Sequence, residues 1–588
     1  MEPRFRWIFP PPVQLTPELA SAGRERGLSE RLVGLLARRG VADRGELAAW
    51  FAEPLDGLHD PSLLPDADLL LARLTLARTR GERVLVFGDF DADGLTGLAI
   101  MTLALRRFGV EVEPYVPSRL DEGHGLSMAA VEAAIAAGAT LIVTVDCGTT
   151  SHVEIAAAGE RGLDVIVTDH HRVPAVPPAV VALVNPHRPD STYPDHRLAG
   201  SGVAFKIAQL LLRDEPGGPA AALALADLAT IGTVADVAPI VGENRAIARI
   251  GLERLRAAPR PGIAALLERA RVAPGVLDLE TVSFVLAPRL NAAGRVGEAM
   301  EAARLLLAED PSAATAHAEA LERANGERRD LMKAAVAEAR LMVADAPDEP
   351  ATLVHGPWGV GIVGLVAARL AEDRGRAAVV GAELGDVIRA SCRSDGKMDL
   401  GAALEQCGDL FTRFGGHAGA AGFELPANRW EQFRSRFLDL AAASAPADPR
   451  VALVIDLALP ARDVGYGLHR EFADLAPAGP GNPDPLVAVL GLTVTRVRAA
   501  TGGHTQLTLR RDRDVLDGIA FGRSDLAETL HEGDRVDVVA RLVSRRFGGV
   551  ESLQLDIRDA CLSGHHREAA AILDPARADV ASLAGLPT

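Results

Sequence analysis

The stretch "RVLVFGDFDADG" (residues 83–94) passes from a short apolar run directly into three aspartates within five positions. Val84, Leu85, Val86 and Phe87 form the almost continuous hydrophobic segment expected of a strand buried on both faces. Asp89, Asp91 and Asp93 repel one another and are poor strand formers, so local propensity does not account for them. The arrangement returns twice: "TLIVTVDCGTTS" (140–151) ends its run at Asp146, and "LDVIVTDHH" (163–171) at Asp169, His170 and His171. Ala-rich stretches at helical spacing, "SMAAVEAAIAAG" (127–138) and "HVEIAAAGERG" (152–162), separate these runs. Strands alternating with helices imply βαβ units and a parallel sheet. Each polar cluster then falls past the C-terminal end of its strand, the edge where open α/β sheets bind ligands.

At 588 residues the chain has room for roughly three to five domains. Its 48% apolar and 24% charged residues are ordinary for a globular protein. We read no run of about 18 apolar residues suited to a membrane, and "MEPRFRWIFPPPVQL" (1–15) does not read as a signal peptide. Cys147, Cys392, Cys407 and Cys561 make no CxxC pair, which argues against a disulfide framework or a thiolate zinc site and for a reducing cytoplasm. The formal charge of −17 excludes a generic polyanion binder. A nucleic-acid substrate would have to be held by local arginines or by metal ions. The basic residues are almost all arginine, with only Lys206, Lys333 and Lys397 as lysines, a bias typical of GC-rich coding.

Residues 1–75 read as a helical segment, with "RLVGLLARRG" (31–40) carrying apolar positions three and four apart. The first α/β domain is expected over 76–280, and a connecting segment over 281–346. Within it Asp310 suits an N-cap and Pro311 a first turn, so one helix should run to about Asp345, roughly 50 Å long. A smaller α/β domain (347–446) contains "GPWGVGIVGLVAARL" (356–370) and "GGHAGAAG" (415–422). After a proline-rich joint, "LAPAGPGNPDP" (475–485), five strand-like stretches suggest a β-barrel within 447–565, followed by a tail over 566–588.

Asp89, Asp91, Asp93, Asp146, Asp169, His170 and His171 are joined by Asp236 of "ATIGTVADVAP" (229–239). Each alone is ordinary, since aspartate is a common turn former. Together, carboxylates and imidazoles suit Mn²⁺, Mg²⁺ or Zn²⁺, and the scarcity of thiolates weighs against structural zinc. Paired cations bridged by a carboxylate are a common device for phosphoester hydrolysis.

"GDFDADG", "VDCGTTS", "VTDHH" and "GTVADVAPI" resemble successive motifs of the DHH phosphoesterase family, and "GGHAGAAG" resembles the signature of its DHHA1 domain. "VPSRLDEGHGLS" (116–127), "LAGSGVAFK" (198–206), "APRLNAAGR" (287–295) and "PAGPGNPDP" (477–485) resemble the branch of bacterial single-strand-specific exonucleases. The resemblance runs from "LLARRG" to "LQLDIRDA", nearly the whole chain.

It implies a DHH domain joined by a long helix to a DHHA1 domain and followed by an OB-fold barrel. The implied ligands of two Mn²⁺ or Mg²⁺ ions are Asp91, Asp93, Asp146, His170 and Asp236, with Asp146 bridging. Asp89 would support the site, His171 would face the scissile phosphate, and Asp169 would orient the ligand histidine. Ser391, Arg393, Arg289 and Arg295 would grip a terminal 5′ phosphate, unless the arginines pair with acids between domains. Gly415, Gly416 and His417 would approach the strand, and Arg545, Arg546 and Phe547 replace the family's usual asparagine and aromatic on the barrel. His124 stands where tyrosine is usual and reads as tolerated variation rather than as a ligand.

The implied activity is 5′-to-3′ hydrolysis of single-stranded DNA to 5′-mononucleotides, in repair and recombination. An oligoribonuclease or nucleotide phosphatase, and a non-catalytic single-strand-binding scaffold, are the alternatives. Single-strand binding protein and a helicase are the implied partners, and a monomer with no membrane association is expected.

Overall fold

The computed structural model describes residues 1–566, apart from 12, 120, 258, 346–347, 445–447, 449 and 548–549, and apart from the side chains of 545–547 and 550. The tail expected over 566–588 lies outside the described residues from 567 onward. The chain forms two compact units, Ala52–Ala447 and Met1–Phe51 with Asp448–Thr588.

In the larger unit, Arg83–Gly88 (β1), Glu111–Tyr115 (β2), Ala139–Val145 (β3), Asp164–Thr168 (β4) and Ala182–Val184 (β5) form one sheet in the order β2-β1-β3-β4-β5. Every pairing is parallel. The continuous apolar run of β1 has a direct cause. Val84 and Val86 pack into the cluster under one face, and Leu85 and Phe87 into the cluster under the other. With both faces covered, none of the positions from Val84 to Phe87 is left for a polar residue.

Helices Ala92–Phe108 (α1), Gly200–Leu212 (α2) and Ala226–Ala235 (α3) pack against one another beside this sheet. α1 and α2 are buried nearly all round, so both are hydrophobic on every side rather than amphipathic. One stretch among the described residues, Gly218–Ala235, is long and apolar enough to cross a membrane, contrary to the reading above. It is two helices, Gly218–Ala224 and α3, and 67% of it is buried in the core.

Ala287–Val296 (α4) leads towards the connecting helix Pro311–Met342 (α5). As expected, Pro311 opens α5 and Asp310 caps it, accepting from the Ala313 N–H at 2.9 Å. Its 32 residues span about 48 Å. Beyond it, Thr352–Gly356 (β6), Ala378–Leu384 (β7), Val387–Arg393 (β8), Arg413–Gly416 (β9) and Ala420–Pro426 (β10) form a second sheet in the order β9-β10-β8-β7-β6. Only β6 and β7 are parallel. Val360–Arg374 (α6) packs on β7 and β8.

The smaller unit is built on Val487–Ala500 (β11), His504–Arg511 (β12), Asp514–Ala520 (β13), Arg535–Phe547 (β14) and Val550–Leu562 (β15). The order β11-β12-β13-β15-β14 closes on itself through β11–β14 pairing, which gives the expected five-stranded barrel. The proline-rich stretch 475–485 is internal to this unit rather than a joint ahead of it. There the buried Asn482 Nδ2 donates to the carbonyls of Leu475 (2.8 Å) and Pro477 (3.0 Å).

The N-terminal reading also needs correction. Residues 1–75 are not one helical segment: helices Pro17–Glu25, Glu30–Arg38 and Arg44–Trp50 belong to the barrel unit, whereas Ala67–Arg80 packs into the core of the larger one. Strand Arg6–Ile8, absent from that reading, pairs in parallel with Ala452–Val454. The buried Asp559 fixes it, accepting from Trp7 Nε1 (2.8 Å), the Phe5 N–H (3.0 Å) and Arg523 Nη1 (3.1 Å).

Asp559→Ala leaves the Arg523 charge and the Trp7 indole N–H without this partner. Arg523 keeps its pair with Asp525 (2.8 Å), so the expected cost is mainly that of the unsatisfied N–H groups, about 1–3 kcal/mol, seen in calorimetry as a lowered transition for the barrel unit while the larger unit's transition stays in place.

Candidate metal centre

Every carboxylate of the opening motif is set by an element boundary. Asp91 caps α1, its Oδ1 accepting the N–H groups of Asp93 (3.0 Å) and Gly94 (3.1 Å). Asp93, in the first turn of α1 and buried, accepts from Gly200 (2.7 Å) and Ser201 (3.0 Å), the first amides of α2. The positive end of a second helix is thereby aimed at a carboxylate. Asp146 follows β3 in the left-handed region at φ +64°. Asp169 and His170 follow β4, and Asp236 caps the C-terminus of α3.

Two close approaches need glycine. A Cβ on Gly200 would lie 2.5 Å from Asp146 Cβ, and one on Gly232 would collide with Asp93 Oδ1.

His170 is the hub. Its Nε2 lies 3.0 Å from Asp146 Oδ1 and 3.9 Å from Asp93 Oδ2, and its Nδ1 lies 4.0 Å from Asp236 Oδ2. Three sets of groups offer ligand atoms within 4.8 Å of one another: Asp89/Asp91/Asp146, Asp93/His170/Asp236 and Asp146/His170/His171. Asp146 belongs to two of them, as a bridging carboxylate must.

The donor set fits divalent cations on independent grounds. Asp89 Oδ1, Asp146 Oδ1 and His170 Nε2 are buried and make no hydrogen bond of good geometry, although the last two lie 3.0 Å apart, a costly state for polar atoms unless another partner occupies the site. Burial first, then the facing carboxylates, push Asp91 and Asp146 above the ordinary aspartate range. Burial and Asp93 push Asp236 up to about 7. A cation among them removes that repulsion.

Asp169 behaves differently. Its Oδ1 accepts from His171 Nδ1 (2.8 Å) and from the backbone N–H groups of His170 (2.8 Å) and His171 (3.1 Å). Although burial opposes its charge, these bonds and one from Thr149 hold Asp169 well below the usual carboxylate range. In return the hydrogen bond to Asp169 lifts His171 to about 9. Asp169 therefore orients the ring of His171 and not, as the resemblance suggested, that of His170.

The reading of Asp89 as a mere support also changes. It groups with Asp91 and Asp146, while its Oδ2 meets His124 Nδ1 at 3.1 Å. His124, read as tolerated variation, thus positions Asp89.

The arginines divide. Arg289 is taken by Glu322 (2.6 Å) and the Val285 carbonyl (2.9 Å), the acid-paired alternative, so it is not free for a phosphate. Arg295 pairs with no acid among the described residues; it donates to the Gly361 carbonyl (3.0 Å), and burial lowers it to about 9. Arg393 donates to the Cys392 carbonyl (2.8 Å). A Cβ on Gly364, in α6, would lie 3.2 Å from Arg393 Nη2 and 3.3 Å from Ser391 Oγ, so Ser391 and Arg393 face that helix together.

Sequence reasoning missed Arg119. Its guanidinium lies 4.3 Å from the centroid of Phe90, and burial lowers its pKa while Asp89 and Asp91 raise it. Its only signal was its place in "VPSRLDEGHGLS".

Gly415, Gly416 and His417 lie on the exposed hairpin of β9 and β10. β10 pairs with β8 so that Ala420 opposes Arg393, which brings the hairpin tip beside that arginine. Arg545, Arg546 and Phe547 occupy the end of β14, and their side chains lie outside the described residues. A groove elsewhere on the barrel is lined by Arg496, Arg498, Gln506, Thr508 and Gln554, none of which the sequence singled out.

Comparison with known proteins agrees with this geometry. The DHH family N-terminal domain matches residues 83–233, the DHHA1 domain 350–443 and the RecJ OB domain 455–559. The single-stranded-DNA-specific exonuclease RecJ of Bacillus subtilis is 34% identical over 568 residues, covering 95% of this chain and 71% of its own. That of Dickeya dadantii is 36% identical, covering 89% and 94%. The crystal structure of RecJ with Mn²⁺ from Thermus thermophilus superposes with a TM-score of 0.80 at 31% identity, covering 95% of this chain and 81% of that one. With its motifs, sheet order and domain sequence all in register, the chain belongs to the RecJ family of DHH phosphoesterases.

Proposed function

We propose that the protein is a metal-dependent exonuclease that degrades single-stranded DNA from the 5′ end and releases 5′-mononucleotides. The observation that carries this reading is the pairing of three ligand sets around Asp146 and His170 with buried arginines in the same unit that form no ion pair among the described residues. Asp91, Asp93, Asp146, His170 and Asp236, joined by Asp89, would hold two Mn²⁺ or Mg²⁺ ions; the complexes of Thermus thermophilus RecJ with these metals support that choice. Bound there, the ions supply Lewis-acid stabilisation and an activated water.

The chain's own residues do the rest. With Nδ1 held by Asp169, His171 keeps Nε2 for a hydrogen bond or a proton directed at the leaving oxygen. Arg119, Arg295, Arg393 and Ser391 grip a terminal 5′ phosphate by charge-assisted and neutral hydrogen bonds, which sets the polarity. Arg496 and Arg498 in the barrel groove hold the strand. The four cysteines are free and buried, in keeping with a reducing cytoplasm, where repair and recombination generate such strands. Family membership makes single-strand binding protein and a helicase the first partners to test.

Incubating 5′-labelled single strands with Mn²⁺ or Mg²⁺ is expected to release labelled mononucleotides, and absence of release with both metals sinks the reading. Asp146→Ala should abolish release yet retain single-strand affinity, measured by fluorescence anisotropy, because the arginines and the barrel are untouched. Arg393→Ala should raise KM for 5′-phosphorylated strands by about tenfold to a hundredfold, with a smaller effect on 5′-hydroxyl strands. Asp169→Asn should shift the alkaline limb of the pH–rate profile to lower pH, since His171 then loses the carboxylate that keeps it protonated.

A further inference from the structure

Asp236 owes its position to the way α3 stops. The Ala238 N–H donates to the Thr233 carbonyl (3.1 Å) and the Val237 N–H to the Val234 carbonyl (3.2 Å). These paired bonds define a helix end that puts its next residue in the left-handed region. That residue is Val237, at φ +63°. Glycine or asparagine fits such a position readily, whereas a β-branched side chain is strained there. The other non-glycine residues with positive φ among the described residues are Asp66, Asp146, Arg271 and Asp512, none of them β-branched. Strain of this kind clusters at functional sites.

The isopropyl group is not part of the buried core. Val237 is 65% exposed, while Val234 and Ala238 on either side are buried. It directly follows Asp236 in the chain, and the groups that Asp236 faces, Asp93, His170 and His171, are all polar. A nucleotide presents two faces to such a site: a phosphate for the polar groups and, beside it, the C–H face of a sugar.

We infer that Val237 is a substrate-contact residue whose side chain packs against the deoxyribose flanking the scissile phosphate, an inference that rests on the exonuclease reading. The contact is indifferent to base sequence, because every nucleotide carries the same sugar.

Val237→Gly and Val237→Asn relieve the backbone and remove the apolar contact, while Val237→Ile keeps it. The Gly and Asn variants are expected to melt at or above the parent's temperature and to bind Mn²⁺ as the parent does by calorimetry. Their Kd for a short 5′-phosphorylated oligothymidylate, by anisotropy in EDTA, should rise about fivefold, with KM in Mn²⁺ rising alike; the Ile variant should match the parent. Unchanged Kd and KM in the Gly and Asn variants overturn the inference. So does a loss of Mn²⁺ affinity parallel to the rise in KM, which would make Val237 a prop for Asp236. A parent that releases no nucleotide with either metal overturns the exonuclease reading alone, and the anisotropy comparison still decides the contact.

Discussion

Mutual repulsion among carboxylates at the C-terminal edge of one parallel sheet is the constraint around which the larger unit is organised. Asp89, Asp93, Asp146 and Asp169 are all buried, and burial in a low-dielectric interior makes uncompensated charge costly. The protein answers with different devices at different positions. Asp93 is met by the first amides of α2, Asp91 by those of α1, and Asp169 by an imidazole and backbone N–H groups. Asp146 receives no backbone amide and faces the His170 ring, 3.0 Å away, so its charge is the least compensated of the four by hydrogen bonds.

Much of this was legible before any coordinates. The run Val84–Phe87 can be apolar at every position only if both faces are covered, so the parallel sheet followed from it, and the polar clusters then had to gather at one edge. The five barrel strands coincide with the five strand-like stretches of the sequence. Side-chain partnerships were not legible. Nothing in "VTDHH" tells which histidine Asp169 will orient, because that depends on ring rotamers after the strand ends. Arg289 and Arg295 look equivalent in "PRLNAAGR", yet one faces Glu322 and the other does not. Strand Arg6–Ile8 is too short to give a periodic signal.

The strongly acidic formal charge and a polyanionic substrate are reconciled by where the charges are spent. Many of the acids pair with arginines, as at Asp195 with Arg197 or Glu471 with Arg31, while Arg119, Arg295 and Arg393 form no ion pair among the described residues, although Asp89 and Asp91 act on Arg119 from a greater distance. Net charge describes the whole surface, whereas phosphate binding is decided locally by unneutralised, partly desolvated guanidinium groups.

Trp7 and Asp559, the pair that anchors the N-terminal strand, are separated by 552 positions. At synthesis rates of roughly 5–20 residues per second, Trp7 leaves the ribosome on the order of half a minute to two minutes before its partner exists. Ala447 itself precedes Asp559 by 112 positions, so Ala52–Ala447 can fold as a body of its own towards the end of that interval, while the first strand waits with unsatisfied backbone groups. The barrel unit is thus the last to close, and nascent chains cut short before Asp559 would carry an intact parallel sheet beside an N-terminal strand that lacks its Asp559 anchor.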